Sequence, residues 1–175
     1  MAVPTVGELT DAVVDAAALA FRELFATGET FYYCVLITTG EALPPCIAAW
    51  SHESLARSDK PELDRWHYAD SPFLDFGAQH FARVRDLWLA RPAMGEDNWT
   101  AEFELRLSAL ESAMRRLDSV GFFGSNEHRR NLMINVEVVP PDYTNTKRAI
   151  RLNPPESIAQ WIADAAEPLD DGTVA

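Results

Sequence analysis

The sequence predicts a single-domain α+β protein in which helices pack on a mostly antiparallel sheet of about four to five strands. The chain has 175 residues, which suits one domain with a substantial core. Segments with an apolar residue every three or four positions are interspersed with short runs of aromatic and β-branched residues. These helical and strand-like segments are partly segregated along the chain, which is typical of α+β proteins.

The N-terminal third predicts a helix followed by a β-hairpin. Residues 8–27 carry apolar side chains at helical spacing, and Gly28 is placed to end the helix. Residues 30–39 are nearly all aromatic or β-branched, as in a central strand that is covered on both faces. A glycine and two prolines then mark a loop before residues 46–50, which predict a second, antiparallel strand. A short helical turn is expected over residues 53–57.

The middle of the chain predicts a short strand and two helices. The alternating residues 65–68 predict an edge strand, and residues 74–90 predict a helix. Residues 97–120 have the clearest helical pattern, with acids near the start and arginines near the end that complement the helix dipole. Gly121 fits the left-handed cap position. Phe122 then falls where a Schellman cap places its hydrophobic contact with the helix.

The C-terminal part predicts two strands and a helix. Residues 131–139 alternate in part and predict a strand, which two prolines end. Residues 147–152 are expected to add a short edge strand, and residues 156–166 a final helix. The predicted domain therefore covers residues 1–166, and residues 167–175 are expected to form an acidic, frayed tail.

Charge and hydropathy narrow the classes of function. The net charge of −12 predicts a soluble protein that favours basic partners and avoids nucleic acid. Apolar runs are too short for a transmembrane helix, and no basic residue precedes an apolar stretch at the N-terminus as in a secretory signal. We therefore expect a cytoplasmic protein without a membrane partner. The oligomeric state stays open.

The two cysteines, Cys34 and Cys46, are expected to be buried, reduced thiols. Neither belongs to a CxxC pair of the kind that binds zinc. One alternative is a disulfide, because a hairpin would place the two residues opposite each other. A weaker alternative pairs either thiol with His52 as a nucleophile and base. Burial raises a thiol pKa and makes it inert, which argues against that pairing.

Motifs for catalysis or cofactor binding are missing from the sequence, which contains no GxSxG, HExxH or Walker-type segment. The best metal-ligand group is His67, Asp70, Asp75 and His80, but these residues surround a predicted polar loop. The sequence therefore predicts no catalytic residue, no cofactor and no metal site, and the protein is not expected to be an enzyme.

A basic group between residues 112 and 151 has two interpretations. This segment holds 7 basic and 4 acidic residues. If the cations converge in the fold they would form an anion site, but the nearby acids favour internal salt bridges. The basic residues concerned are Arg115, Arg116, Arg129, Arg130, Lys147, Arg148 and Arg151.

Several segments together resemble a known family. The motifs that carry the resemblance are residues 31–38, 65–68, 117–124, 129–132 and 151–154. Over roughly residues 10–165, the chain is similar to a bacterial family catalogued as domain of unknown function 4303. In their genomic context, members of that family resemble the small proteins of toxin–immunity systems. The resemblance implies a cytoplasmic protein that binds and neutralises a toxin domain.

An acidic inhibitor would be steered towards a basic toxin domain by long-range attraction. Carboxylates that bracket exposed loops around an aromatic side chain suit such an interface. A non-catalytic adaptor for another partner is the alternative function, and a small enzyme is less favoured. The predicted partner-binding residues are Glu53, Asp59, Glu62, Asp64, Trp66, Asp70 and Asp75.

Overall fold

A computed structural model describes residues 2–169, apart from the side chain of Asn126. The strands are β1 (Phe31–Thr39), β2 (Cys46–Ser51) and β3 (Met133–Val139). The helices are α1 (Val6–Phe25), α2 (His52–Ala56), α3 (Pro61–Asp64), α4 (Ala82–Leu89), α5 (Trp99–Ser119), α6 (Asn126–Arg129), α7 (Tyr143–Leu152) and α8 (Pro155–Asp164). No helix in this part of the chain is long and apolar enough to cross a membrane.

The described residues form one three-stranded mixed sheet in the order β2-β1-β3. β1 and β2 form the predicted antiparallel hairpin, whereas β3 runs parallel to β1 from Tyr33 opposite Met133 to Thr39 opposite Val139. The prediction of a mostly antiparallel sheet of four to five strands is therefore wrong. A parallel pair needs a long connection. Here that connection contains α4 and α5, which return the chain to the start of β3.

Both faces of the sheet are covered, as the apolar sequence of β1 predicts. On the first face, Cys34 and Leu36 belong to a core that α1 and α5 complete. On the second face, Tyr33, Val35 and Ile37 belong to a smaller core that includes side chains of α7 and α8. Strand β1 therefore has helices on both sides, and this explains why it shows no alternation between polar and apolar residues.

The end of α5 has the predicted Schellman cap. Gly121 has φ 75°, and its N–H donates to the carbonyl of Asp118 over 2.9 Å. The N–H of Phe122 donates to the carbonyl of Leu117 over 3.1 Å. These two bonds satisfy carbonyls that the last helical turn leaves open. The chain then turns towards β3.

The outer edge of β3 is covered by side chains of the next helix. Residues 147–152 were predicted to be a strand, but they belong to α7, whose N-cap Asp142 accepts from the N–H of Thr144 over 2.8 Å. Asn145 accepts from the N–H of Val138 over 2.8 Å and donates to its carbonyl over 3.0 Å. Further along, Arg148 Nε donates to the Val136 carbonyl over 2.8 Å. Asn153 makes the equivalent pair of bonds to Ile134, over 2.9 and 2.6 Å.

The outer edge of β2 is covered by irregular chain rather than by a strand. The N–H of Asp75 donates to the carbonyl of Ile47 over 2.8 Å, and the hydroxyl of Ser71 donates to the carbonyl of Ala49. Gly77 follows with φ 70° beside α1, where an added Cβ would lie 2.7 Å from the Ala20 Cβ. This close approach ties the segment to α1.

Two other predictions in this region need correction. Residues 65–68 do not form an edge strand, because they end α3 and lead into a 3-10 turn over Tyr68–Asp70. The helix predicted for residues 74–90 is shorter, since Ala78–Phe81 form a 3-10 turn and only Ala82–Leu89 are α-helical. The final helix is found over Pro155–Asp164 and ends two residues earlier than the predicted 156–166. Residues 170–175, most of the predicted tail, lie outside the described residues.

A buried ion-pair group joins α5 to the segment that precedes it. Glu102, which is 5 % exposed, accepts from Arg91 over two distances of 2.5 Å and from Arg106 Nε over 2.8 Å. Arg91 also donates to the carbonyl of Pro4, and Arg106 donates to the carbonyl of Ala42 over 3.3 Å. The group therefore connects α5 to the N-terminus and to the β1–β2 turn.

Replacing Leu117 by Asp should unfold the domain, because Leu117 is 4 % exposed in the first core and the substitution buries an unpaired carboxylate. We expect a loss of at least about 3 kcal/mol, measured by thermal denaturation. Val120→Asp is the control, since Val120 is 77 % exposed one turn later. A normal melt for Leu117→Asp would contradict the packing of α5.

Replacing Asn145 by Ala should cost about 3 kcal/mol in urea denaturation, because two buried backbone groups of Val138 lose their partners. The opened edge of β3 should also promote self-association, which sedimentation would detect. Asn131→Ala is a matched control, since Asn131 is exposed and donates to the carbonyl of Glu127 outside the sheet. Equal stability of the two variants would show that α7 does not support this edge.

Candidate functional site

A cleft of about 540 Å³ opens on the second face of the sheet, at the carboxyl end of β3. Residues of α3 and of segment 66–68 form one wall, and residues of α8 form another. The floor is the end of β3 and the Pro140–Pro141 pair that follows it. This size is in the range of clefts that bind a small molecule or a side chain of a partner.

Segment 65–68 is held above the sheet by side chains from three elements. The Tyr32 hydroxyl donates to the carbonyl of Arg65 over 2.7 Å, and Trp50 Nε1 donates to the carbonyl of His67 over 3.0 Å. Trp66 Nε1 donates to a carboxylate oxygen of Asp164 on α8 over 3.1 Å. The first two of these bonds use backbone carbonyls that an edge strand would offer to a neighbouring strand. The alternation of residues 65–68 therefore reflects aromatic packing on the sheet.

Aromatic rings form much of the cleft wall. Trp66 packs edge to face on Tyr32 and Tyr33, with ring centroids 5.3 and 5.9 Å apart. Tyr68 and Trp161 line the same cleft, and Trp161 is 4 % exposed. Such walls exclude water from any group that enters, and their ring faces attract cations.

Glu137 lies at the base of the cleft and is 9 % exposed. The Tyr33 hydroxyl donates to one of its carboxyl oxygens over 2.8 Å, and Asn135 Nδ2 lies 3.5 Å from the other. Burial raises the pKa of Glu137 to about 7, although both hydrogen bonds and Arg148 favour its ionised form. The same burial, together with the neighbouring Glu137, raises the pKa of Tyr33 well above its ordinary value.

The cation whose charge acts on Glu137, Arg148, makes its hydrogen bonds elsewhere. Arg148 Nε donates to the Val136 carbonyl and its NH2 group donates to Asn145, so Arg148 makes no ion pair with Glu137. Beside Glu137 on the same face of β3, Asn135 is fully buried, and its Oδ1 atom has no donor among the described residues. Glu137 therefore lines the base of the cleft without an ion pair, whereas Asn135 does not line the cleft.

The rim of the cleft is acidic. Glu62, Asp164 and Glu167 line the cleft above Glu137, and none of the described lining residues is Lys or Arg. The backbone carbonyl of Glu167 accepts from the Thr146 hydroxyl over 2.8 Å, so the start of the predicted tail is attached to α7. The arrangement suits a positively charged guest.

The predicted partner-binding residues fall into three places. Glu62 and Trp66 line the cleft. Asp59, Asp64 and Asp70 line a shallower pocket of about 450 Å³ on the other side of α3, together with Arg57 and Lys60. The acidic face, as we call these five residues together with Asp164 and Glu167, is thus centred on α3.

The other two predicted residues serve the fold. The carboxylate of Glu53 accepts from the N–H of Thr30 over 2.8 Å and from its hydroxyl over 3.0 Å, and this lowers the pKa of Glu53. Asp75 has φ 58° and covers the edge of β2 through its N–H. Neither residue lines the cleft or the shallower pocket.

The structure separates the two cysteines. Cys34 is opposite Ala49 and Cys46 is opposite Ile37, on different faces of the sheet, and both thiols are free. Burial raises the pKa of Cys34 strongly and that of Cys46 to about 11. A disulfide is therefore not formed, and both thiols are protonated at neutral pH.

The best candidate metal ligands of the sequence, the group from His67 to His80, do not converge. His67 Nδ1 is 2.7 Å from Asp70, whereas His80 Nε2 is 2.9 Å from Glu23 on α1. Within residues 2–169, no group of three or more His, Cys, Asp and Glu side chains is arranged to hold a metal ion.

Most of the basic group is used internally. Arg115 and Arg151 both pair with Glu111 over 2.7 Å, and Arg116 pairs with Asp11 over 2.6 Å. Arg129 is buried, pairs with Asp118 and donates to the carbonyls of Leu132 and Leu152. The salt-bridge interpretation of this segment therefore accounts for these cations.

Sequence reasoning missed Glu137, Tyr33, Trp161 and Asp164. One signal was available in β3, where Asn135 and Glu137 interrupt an apolar strand at alternate positions. Two polar residues with that spacing share one face of a strand. The contributions of α3 and α8 had no comparable signal, because their approach to β3 depends on the tertiary fold.

The fold is therefore a three-layer α+β arrangement with an acidic, aromatic cleft on one face of its sheet. The family model described as a domain of unknown function, DUF4303, matches residues 13–154, and the chain belongs to that family. No curated protein and no solved structure matches the chain.

Replacing Glu137 by Gln should change how stability depends on pH. The pKa of Glu137 is about 7 in the folded protein against 4.5 ordinarily, so its protonated form stabilises the fold fully below about pH 4.5. This contribution is lost as the pH rises to about 7, and it amounts to about 3 kcal/mol. Urea denaturation between about pH 5 and pH 8 should show the wild-type protein losing stability relative to Glu137→Gln.

Glu104→Gln is the control for this measurement, since Glu104 is exposed on α5 and should leave the wild-type pH dependence unchanged. Parallel pH profiles for wild type and Glu137→Gln would mean that the carboxyl is ionised throughout this range.

Proposed function

We propose that this protein is a non-catalytic binding protein that neutralises a toxin domain, as immunity proteins do, by docking its acidic face on a basic partner. The observation that carries the proposal is the cleft, which combines four acidic residues with aromatic walls and has no Lys or Arg among its described lining residues. The net charge of −12 supports it, because long-range attraction speeds association with a basic partner.

The surface around the cleft has the composition of a binding hot spot. Leu63 is 76 % exposed on α3, between the cleft and the shallower pocket. The acidic residues Glu62 and Asp64 flank Leu63 in the sequence. An exposed apolar side chain beside charged residues suits contact with a partner protein.

A non-catalytic adaptor for another partner is the second candidate, and a different surface favours it. Leu43, Leu89 and Trp99 are 46 %, 80 % and 42 % exposed, and all three line a groove of about 520 Å³. Exposed apolar patches of this kind mark interaction sites. Leu89→Asp should abolish partner binding if this groove is the interface, and should leave toxin neutralisation unchanged if the acidic face is.

A small enzyme is the least favoured candidate, and one observation speaks for it. A buried carboxyl with a pKa of about 7 beside a tyrosine hydroxyl suits proton transfer. Burial raises the pKa of both thiols, so neither is ionised at neutral pH and neither supplies a nucleophile at this site. Titration against the partner separates the two functions, because a binding protein neutralises at equimolar amounts and an enzyme at far smaller amounts.

The proposal predicts rescue in a growth assay. The C-terminal domain of the protein encoded by the neighbouring gene is expressed in a bacterial host, with and without this protein. We expect the domain to stop growth and this protein to restore it. Glu62→Lys combined with Glu167→Lys should weaken binding by at least about tenfold in a pull-down titration, because it reverses charge on the cleft rim.

Glu96→Lys combined with Asp97→Lys is the matched control, since it makes the same change in net charge in the exposed turn before α5. This variant should rescue like the wild type. A harmless neighbour, or a toxic neighbour that is not neutralised although both proteins are made, would contradict the proposal.

A further inference from the structure

The base of the cleft contains a carboxyl group without a counter-ion. Glu137 is 9 % exposed, and its direct partners are the neutral Tyr33 hydroxyl and the Asn135 amide. Arg148 is close enough to influence it but donates its own hydrogen bonds to Val136 and Asn145. Burying a carboxylate is costly unless a positive charge and hydrogen-bond donors compensate for it.

A second buried acceptor lies next to Glu137, behind the residues that line the cleft. Asn135 precedes Glu137 by two residues on the same face of β3, and its side chain is completely buried. Its Oδ1 atom has no hydrogen-bond donor among the described residues. Buried acceptors of this kind are rare, so each calls for an explanation. A guest in the cleft that brings N–H donors meets Glu137, which lines the cleft, whereas Asn135 does not line it.

The walls of the cleft above Glu137 select the charge of the guest. Trp66, Tyr68 and Trp161 line the cleft with aromatic surface, and Glu62, Asp164 and Glu167 line its mouth. Aromatic faces attract ammonium and guanidinium groups, most strongly where water is excluded. An anionic guest would meet four acidic residues and no Lys or Arg among the described lining residues.

We propose that this cleft binds one cationic group, an alkylammonium or guanidinium, carried by a Lys or Arg side chain of the partner, with Glu137 as its counter-ion. The inference rests on the proposed function, for which it names the chemistry of the central contact. The alkyl stem of the side chain lies between the aromatic walls. The charged end reaches the carboxyl group of Glu137.

Binding of a cation is coupled to loss of a proton from Glu137, because the cation stabilises the ionised carboxylate. Affinity therefore rises with pH as the protein passes through the pKa of Glu137, which is about 7. Other charged or titratable groups around the site contribute to the field that the guest meets. They are Tyr33 from β1, Arg148 from α7, Glu62, His67 and Tyr68 from the wall, Asp164 from α8, and Glu167 from the segment after α8.

The test uses the purified wild-type protein and two probes, butylguanidinium and a blocked pentapeptide with one central Arg among alanines. Fluorescence of the cleft tryptophans, or NMR of their indole N–H groups, reports binding. We expect both probes to bind saturably, with affinity that increases roughly tenfold between about pH 6 and pH 8. Pentanol, a neutral alcohol with a similar alkyl chain, should bind at least about tenfold more weakly.

Glu137→Gln should weaken both probes by at least about tenfold and remove the pH dependence, whereas Glu104→Gln should change neither. If Glu137→Gln does not fold, calorimetry of the wild type in two buffers of different ionisation enthalpy detects the released proton instead. Equal binding of the cation and of pentanol, or binding that is independent of pH, would overturn the inference.

The two probes also distinguish the source of the cation. Binding of the peptide supports a side chain of a partner, while binding of the free cation alone would overturn that assignment in favour of a small molecule. This test needs no toxin. Failed growth rescue with intact probe binding therefore counts against the proposed function, and normal rescue by Glu137→Gln without probe binding counts against this inference.

Discussion

The hydrogen-bonding requirement of the outer edge of β3 is the constraint on which the rest of this structure depends. A parallel strand at the end of a sheet has backbone groups that must find partners or attract another chain. Here Asn145, Arg148 and Asn153 supply those partners from α7 and the residue that follows it. The sheet consequently stops at three strands, and α7 is fixed against its second face.

The same constraint shapes the electrostatics of the cleft. Because Arg148 is held by the Val136 carbonyl and by Asn145, it does not neutralise the nearby Glu137. The carboxyl group stays buried at the base of the cleft, with an elevated pKa. The interaction that closes the sheet thus leaves a buried carboxyl group without a counter-ion, and this is the place that we propose for a cationic guest.

Elements with a strong local signal were predicted correctly. Strand β1 is apolar throughout because helices cover both its faces, and α5 ends in a Schellman cap because Gly121 tolerates a positive φ. Two segments misled prediction. Residues 65–68 alternate because Trp66 and Tyr68 pack on the sheet. Residues 147–152 include the β-branched Ile150 and three basic residues, but they belong to a helix from which Arg148 bonds to the edge of β3. Of the predicted acidic surface, five residues lie around α3, while Glu53 and Asp75 support the fold.

The sequence by itself determined the main helices and strands, the hairpin, the cap of α5, the acidic charge and the family resemblance. These features depend on periodicity, on turn residues and on composition, which are local properties of the chain. Only the tertiary structure decided that β3 runs parallel to β1, that both sheet edges are covered without further strands, and that Glu137 lies beneath Trp66 and Trp161. Those outcomes depend on contacts between residues up to about a hundred positions apart, such as the bond from Tyr33 to Glu137, and local patterns contain no information about which distant groups will meet.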